Sequence, residues 1–241
     1  MRNQQWEGDI YKRIQDAISA LPENFSILEE QIDVELQMEY FNYSKDIKSS
    51  FDKDFILEHQ NDLFNPDVSI DEKKNLLVLL ASVENVEYFR AIEKYTRNPD
   101  PELRKWSVLA LQESRMILQS SLMDEQQVYI STGLGGKGQN LRYFVAFVGN
   151  NVSVYSEIQR KLIQTELDLA LTNNNGVLEE LEFEDNLALC IVLIPLKVDI
   201  QSIFVDMIAE CNLYGDFIRP EVILTNVKRI SAEEIRRFLN E

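Results

Sequence analysis

The chain has 241 residues, 45% of them hydrophobic, and its 24 basic and 41 acidic side chains give a formal net charge of −17. That balance argues against nucleic-acid binding, which depends on Lys and Arg displacing counterions from phosphates. It equally opposes docking on an anionic membrane, while favouring encounter with basic proteins. No apolar run approaches the roughly 18 residues that a membrane-spanning helix needs. The first nine residues, from Met1 to Asp9, lack the apolar core of a signal peptide. Cys190 and Cys211 sit in apolar surroundings without metal-ligand spacing, so they read as buried thiols of a cytoplasmic protein.

In chain order, Trp6, Ile10, Ile14, Ala17, Ile18 and Leu21 recur at three- and four-residue steps, predicting a helix over 8–21 that stops at Pro22. Residues 26–42 fit two periods. Ile32, Val34, Leu36, Met38 and Tyr40 alternate with polar residues, but Leu28, Ile32, Leu36 and Tyr40 also share a helical face. We read a helix, because an isolated strand among helices would leave its backbone groups unpaired. Helices over 54–64, 71–82, 86–97 and 101–122 follow, separated by the turns Asn65-Pro66-Asp67 and Asn98-Pro99-Asp100-Pro101. Pro101 suits a first-turn position, and Asp100 is the expected side-chain N-cap.

Arg104-Lys105-Trp106-Ser107-Val108-Leu109-Ala110-Leu111 has a fainter copy 31 residues upstream, Lys73-Lys74-Asn75-Leu76-Leu77-Val78-Leu79-Leu80. That spacing is a helical-repeat period. With Pro101, Arg104 and Ala110-Leu111, residues 86–118 resemble a HEAT-type helical repeat, and residues 54–83 form a second, weaker copy in which Lys73 replaces Arg. The resemblance implies a stack of helical hairpins that binds another protein along one face. A non-repeating helical bundle remains the alternative.

From residue 126 the pattern changes. Strands are predicted over 127–131 and 141–148, a helix over 155–171, then a hairpin of strands over 177–184 and 187–198, turning at Asp185-Asn186. The nearly all-apolar second arm reads as a central strand. A helix over 200–213, a strand over 217–227 and a terminal helix over 231–240 complete the chain, the last opened by a capping box of Ser231 and Glu234. By element order this half resembles a ferredoxin-like βαββαβ sandwich with two helices on one face of an antiparallel sheet. Residues 127–131 would add an edge strand by hairpin. The expected organisation is therefore a HEAT-like helical domain over 1–124 and a ferredoxin-like α/β domain over 125–241.

Two clusters stand out as candidate sites. Gly133, Gly135, Gly136 and Gly138 crowd around Lys137. Free amides and one lysine could cradle an anionic small molecule, but no Ser or Thr follows the lysine as a Walker motif requires, and a flexible hairpin connection is the simpler reading. Glu180, Glu182 and Glu184 project from one face of a strand. Without converging ligands from elsewhere they form no metal site; they read as a solvated edge or as a patch for a basic partner. His59, the single histidine, reads as a surface residue and leaves nucleophile–histidine pairs without material. We therefore expect a non-enzymatic adaptor without cofactor or metal. It would bind another protein of basic character, and the α/β domain could also pair as a homodimer. The alternatives are a regulatory module sensing an anionic ligand at Gly133–Gly138, and an acidic inhibitor of a basic partner.

Overall fold

The computed structural model describes residues 25–48, 56, 59–124 and 127–239. The helix expected over 8–21 lies outside them, as do residues 54, 55, 57 and 58 of the one expected over 54–64. The fold is mixed α/β, and the chain divides into two compact units. One lies within Ile32–Tyr129; the other unites residues up to Gln31 with those from Ile130 onward. The units divide at 31/32 and at 129/130, whereas the expected helical domain ran unbroken over 1–124.

The segment read as a single helix over 26–42 divides. Phe25–Ile27 is a strand, β1, and the helix α1 runs over Val34–Lys48. The unpaired backbone that spoke against a strand finds its partner about a hundred residues away: β1 pairs with β2, Val128–Ile130, and the Leu28 N–H donates to the Ile130 carbonyl at 2.9 Å. Asp33 opens α1 by accepting the Glu35 N–H at 2.8 Å. Ile32, Gln37, Tyr40 and Ser44 are buried at helical spacing.

In the helical unit, a 3₁₀ turn at Gln60–Phe64 leads to α2, Ile70–Ala81, and α3, Val86–Thr96. A second 3₁₀ turn at Pro101–Leu103 precedes α4, Arg104–Met123. Ser69 and Glu72 cap α2 reciprocally. The expected side-chain cap at Asp100 is not made; its carboxylate turns inward instead. Trp106, Leu109 and Ala110 of α4 pack inside with Leu77, Leu80 and Ile92.

In the α/β unit, β4 spans Asn140–Gly149, α5 Glu157–Asn173, β5 Val177–Glu184, β6 Leu187–Pro195, α6 Ile200–Asn212, β7 Ile218–Thr225 and α7 Ala232–Leu239. The strands run antiparallel in the order β5-β6-β4-β7. β6 lies inside the sheet, as its apolar sequence predicts. The expected edge pairing of 127–131 on β4 is replaced. A two-residue strand, β3 at Gly136–Lys137, takes that place, with Gly136 opposite Leu141. The hairpin is displaced because Leu134 turns into the core, its N–H bonded to the Asn226 carbonyl at 3.0 Å. Helix α5 ends on Asn175 in the left-handed region (φ 55°), and the Gly176 N–H returns to the Leu171 carbonyl at 2.8 Å.

Alternation along β4 and β6 divides two apolar faces. Phe147 meets Phe204 of α6 at 5.7 Å between ring centres. Phe144, Ala146, Val148, Leu187 and Ile191 pack on the opposite side with Leu134, Ala232 and Ile235. The sheet is therefore covered on both faces, not on one: the connection carrying Leu134 and the helix α7 close the second.

Candidate functional site

The glycine cluster is crowded by this chain's own backbone. A side chain at Gly133 would collide with the Val227 carbonyl, and one at Gly136 with the Asn140 carbonyl. Gly135 adopts φ 68°, and a Cβ there would lie 2.7–2.9 Å from the carbonyl oxygens of Leu28, Glu29 and Glu30. Gly138 lies in open space, and its N–H donates to the Glu29 carboxylate at 3.4 Å. Lys137 is exposed beside it. Arg142 secures the segment, donating from Nη1 to the Leu134 carbonyl at 2.8 Å and the Glu29 carbonyl at 3.3 Å while pairing with Glu179.

Glu180, Glu182 and Glu184 share a face of β5, opposite Ile191, Leu189 and Leu187 of β6. They line a groove of about 390 Å³ together with Phe144, Arg229 and Ile230. Two of the three carboxylates are answered from within the unit. Arg229 pairs with Glu180, and Arg236 bridges Glu184 and Asp185 at 2.9 Å each. Glu182 stands between them, exposed.

A second acidic surface escaped the sequence reading. Between α5 and α6 runs a groove of about 160 Å³ lined by Glu166, Leu169, Ala170, Asn173 and Asn174 on one side and by Ile203, Asp206, Met207 and Glu210 on the other. No lysine or arginine lines it. Asp206 and Glu210 stand one turn apart on α6, a like-charge spacing that costs a few tenths of a kcal/mol. Burial first, then Glu166 and Glu210, push the Cys211 thiol up to about 12. The signal was present as Asp206 and Glu210 flanking the apolar Met207, but the contribution of Glu166 depends on how α5 lies beside α6.

The helical unit holds polar side chains in its interior. Lys73, 4% exposed, donates to Asp100 at 2.8 Å, and the Tyr95 hydroxyl donates to the same oxygen at 2.6 Å. The hydrogen bond from Lys73, then that from Tyr95, holds the Asp100 carboxyl below its usual range. Burial foremost, then the Glu113 carboxylate that accepts its hydroxyl, raises Tyr40 well above the usual phenol value. Trp106 donates from Nε1 to the Lys74 carbonyl at 3.2 Å, and the Lys74 ammonium stands 4.0 Å from the Trp106 ring centre. Beside the buried face of α1, Met38 and Phe41 are exposed at 61% and 54%. His59 meets Asp62 at 2.8 Å on the surface.

Cys190 and Cys211 are free and buried. Among the described residues no cluster of His, Cys, Asp and Glu could hold a metal ion, and no helix is long and apolar enough to cross a membrane. No family model matches the chain, and no curated protein is significantly similar to it.

Proposed function

We propose that the protein is a non-enzymatic cytoplasmic adaptor that binds another protein. In this reading the helical unit is a short HEAT-like stack, and the α/β unit is a ferredoxin-like sandwich whose second sheet face is closed by α7. The order β7-β4-β6-β5 and the succession strand, helix, strand, strand, helix, strand support the second assignment. The 31-residue echo between α2 and α4 supports the first.

One observation carries the binding reading. Met38 and Phe41 stand one turn apart on α1 and remain more than half exposed, while Tyr40 between them is 1% exposed. A helix pinned firmly by its buried face that still presents two large apolar side chains along the flank of that face supports a surface for a partner to cover. Replacing both, as Met38→Glu with Phe41→Glu, should abolish cross-linked recovery of the partner from cell extract while leaving the circular dichroism spectrum unchanged. Equal recovery by wild type and variant, or none by wild type, counts against the adaptor.

A further inference from the structure

The two acidic grooves of the α/β unit differ in one respect. Glu180 and Glu184 are neutralised by Arg229 and Arg236 of the same chain. Glu166, Asp206 and Glu210 bring three negative charges around an apolar floor with no basic residue among the lining. Ile203 and Met207 of that floor are 2% exposed each, whereas Leu169 on the rim is 53% exposed. Like charges held together across a narrow groove weaken the free protein slightly, and positive charge arriving from outside relieves the repulsion. The groove has the size of one long side chain, and the ridges of α5 and α6 offer a third helix a track to lie along.

Resting on the adaptor reading, we propose that the α5/α6 groove is a docking site for a basic amphipathic helix of the partner protein. Its Lys or Arg stems would cover Leu169 and Ala170, and their charged ends would meet Glu166, Asp206 and Glu210. Long cationic side chains suit both parts of such a site, since their aliphatic stems lie on apolar surface while the heads pair with carboxylates. The same field repels an acidic helix, a nucleic-acid backbone and a second copy of this chain, whose net charge is −17. Two of the three carboxylates of the β5 row, to which the sequence draws attention, are engaged in internal pairing, and partner charge is read on the opposite face of the sheet.

The test uses the full chain and a fluorescent synthetic helix with Leu on one face and Lys on the other, beside a twin carrying Glu for every Lys. The Lys peptide should bind and the Glu peptide should not. The double reversal Asp206→Lys with Glu210→Lys should weaken binding by about tenfold or more. Its control, Glu182→Lys with Glu221→Lys, changes net charge equally but lies outside the groove, and should stay within about twofold of wild type. Leu169→Ser should weaken binding about fivefold, and that loss should persist at high salt, where charge steering is screened. Should the reversal disturb folding by circular dichroism, the neutral pair Asp206→Asn with Glu210→Gln replaces it, with a smaller loss in the same direction. Equal losses in reversal and control would mean that net charge alone attracts the peptide, and the proposal falls. It falls also if wild type binds neither peptide or if Leu169→Ser binds like wild type. Capture through Met38 and Phe41 would be untouched by such a failure, so the site and the adaptor reading are judged separately.

Discussion

The helical and α/β units solve the same packing problem with different materials. Every buried polar or charged side chain among the described residues, Gln37, Ser44, Lys73, Ser107 and Ser114, belongs to the helical unit. The interior of the α/β unit is apolar apart from the Tyr155 hydroxyl, and ion pairs such as Arg229 with Glu180 and Arg236 with Glu184 lie toward solvent. Strands β4 and β6 are joined to both neighbours by backbone hydrogen bonds, and their alternation of apolar residues selects the register. Helices have spent their backbone bonds internally and meet only through side chains. Which face meets which must then be specified by complementary groups, and Lys73 with Asp100 and Tyr95 is such a key.

The largest effect is expected where the helical interior loses volume. Trp106→Ala removes a side chain 2% exposed, with its hydrogen bond to Lys74 and its ring contacts with Tyr40 and Tyr43 at 4.9 and 5.5 Å. Denaturant unfolding should report a loss of about 4 kcal/mol. Next comes the polar key. Asp100→Ala leaves the Lys73 ammonium buried without its carboxylate and should cost about 3 kcal/mol, the low end for a broken buried pair because the Asp100 side chain is 31% exposed. Removing charge from both sides, as Lys73→Met with Asp100→Asn, should cost clearly less than the single change. If the double variant is the less stable, the key supplies net stability and not only a choice of partner face.

The glycines test the α/β unit. Gly135→Ala combines a left-handed backbone with collision against three carbonyls and should cost about 3 kcal/mol. Gly138→Ala has φ 60° but open space around it, and should cost about 1 kcal/mol. Similar losses at the two positions would mean that the segment Leu28–Glu30 does not press on this loop in solution.

A pH titration separates the units further. Asp100 is held below its ordinary 3.8, so its contribution is present above that value and disappears as pH falls through the lowered folded value. The acid limb of the stability curve should therefore flatten in Asp100→Asn. Glu234 has the same sign: the Ser231 backbone amide first, then Lys228 and the Ser231 hydroxyl, lower it to about 2. It is solvated, and Glu234→Gln should alter the same limb less. The smallest change belongs to the surface pairs. Arg236→Ala loses both Glu184 and Asp185 and should move stability by no more than about 1 kcal/mol. A larger loss would show that the second sheet face depends on this arginine to hold α7.

Much of the architecture was legible because it is local. Helices α2, α3, α5 and α6 and strands β5 and β6 are bounded in sequence by capping residues, turns and a clear period, and the structure ends them within a residue or two, save for the strand read to Val198, where β6 stops at Pro195. The same-face placement of Glu180, Glu182 and Glu184 follows from strand period alone. The misreadings share a cause. Residues 26–31 looked helical because their strand partner lies beyond the whole helical unit, and Asp100 looked like a cap because Lys73 is 27 residues away. The glycine cluster read most simply as a flexible hairpin, with an anion cradle as the other reading, because the carbonyls that crowd Gly135 belong to Leu28, Glu29 and Glu30, far upstream in the chain. A long-range contact leaves only its requirement in the sequence, here an unusual density of glycine, and not the group that imposes it.

By itself, then, the amino-acid order determined the elements, the change from helical to α/β pattern, the acidic field and the apolar faces, since each is set by propensity, period or charge within a few residues. Tertiary structure alone decided that β1 joins the distant β2, that the second sheet face is closed, and which carboxylates remain unanswered. These depend on which surfaces are brought within a few ångströms, and a carboxylate's surroundings, unlike its identity, are not written beside it in the chain.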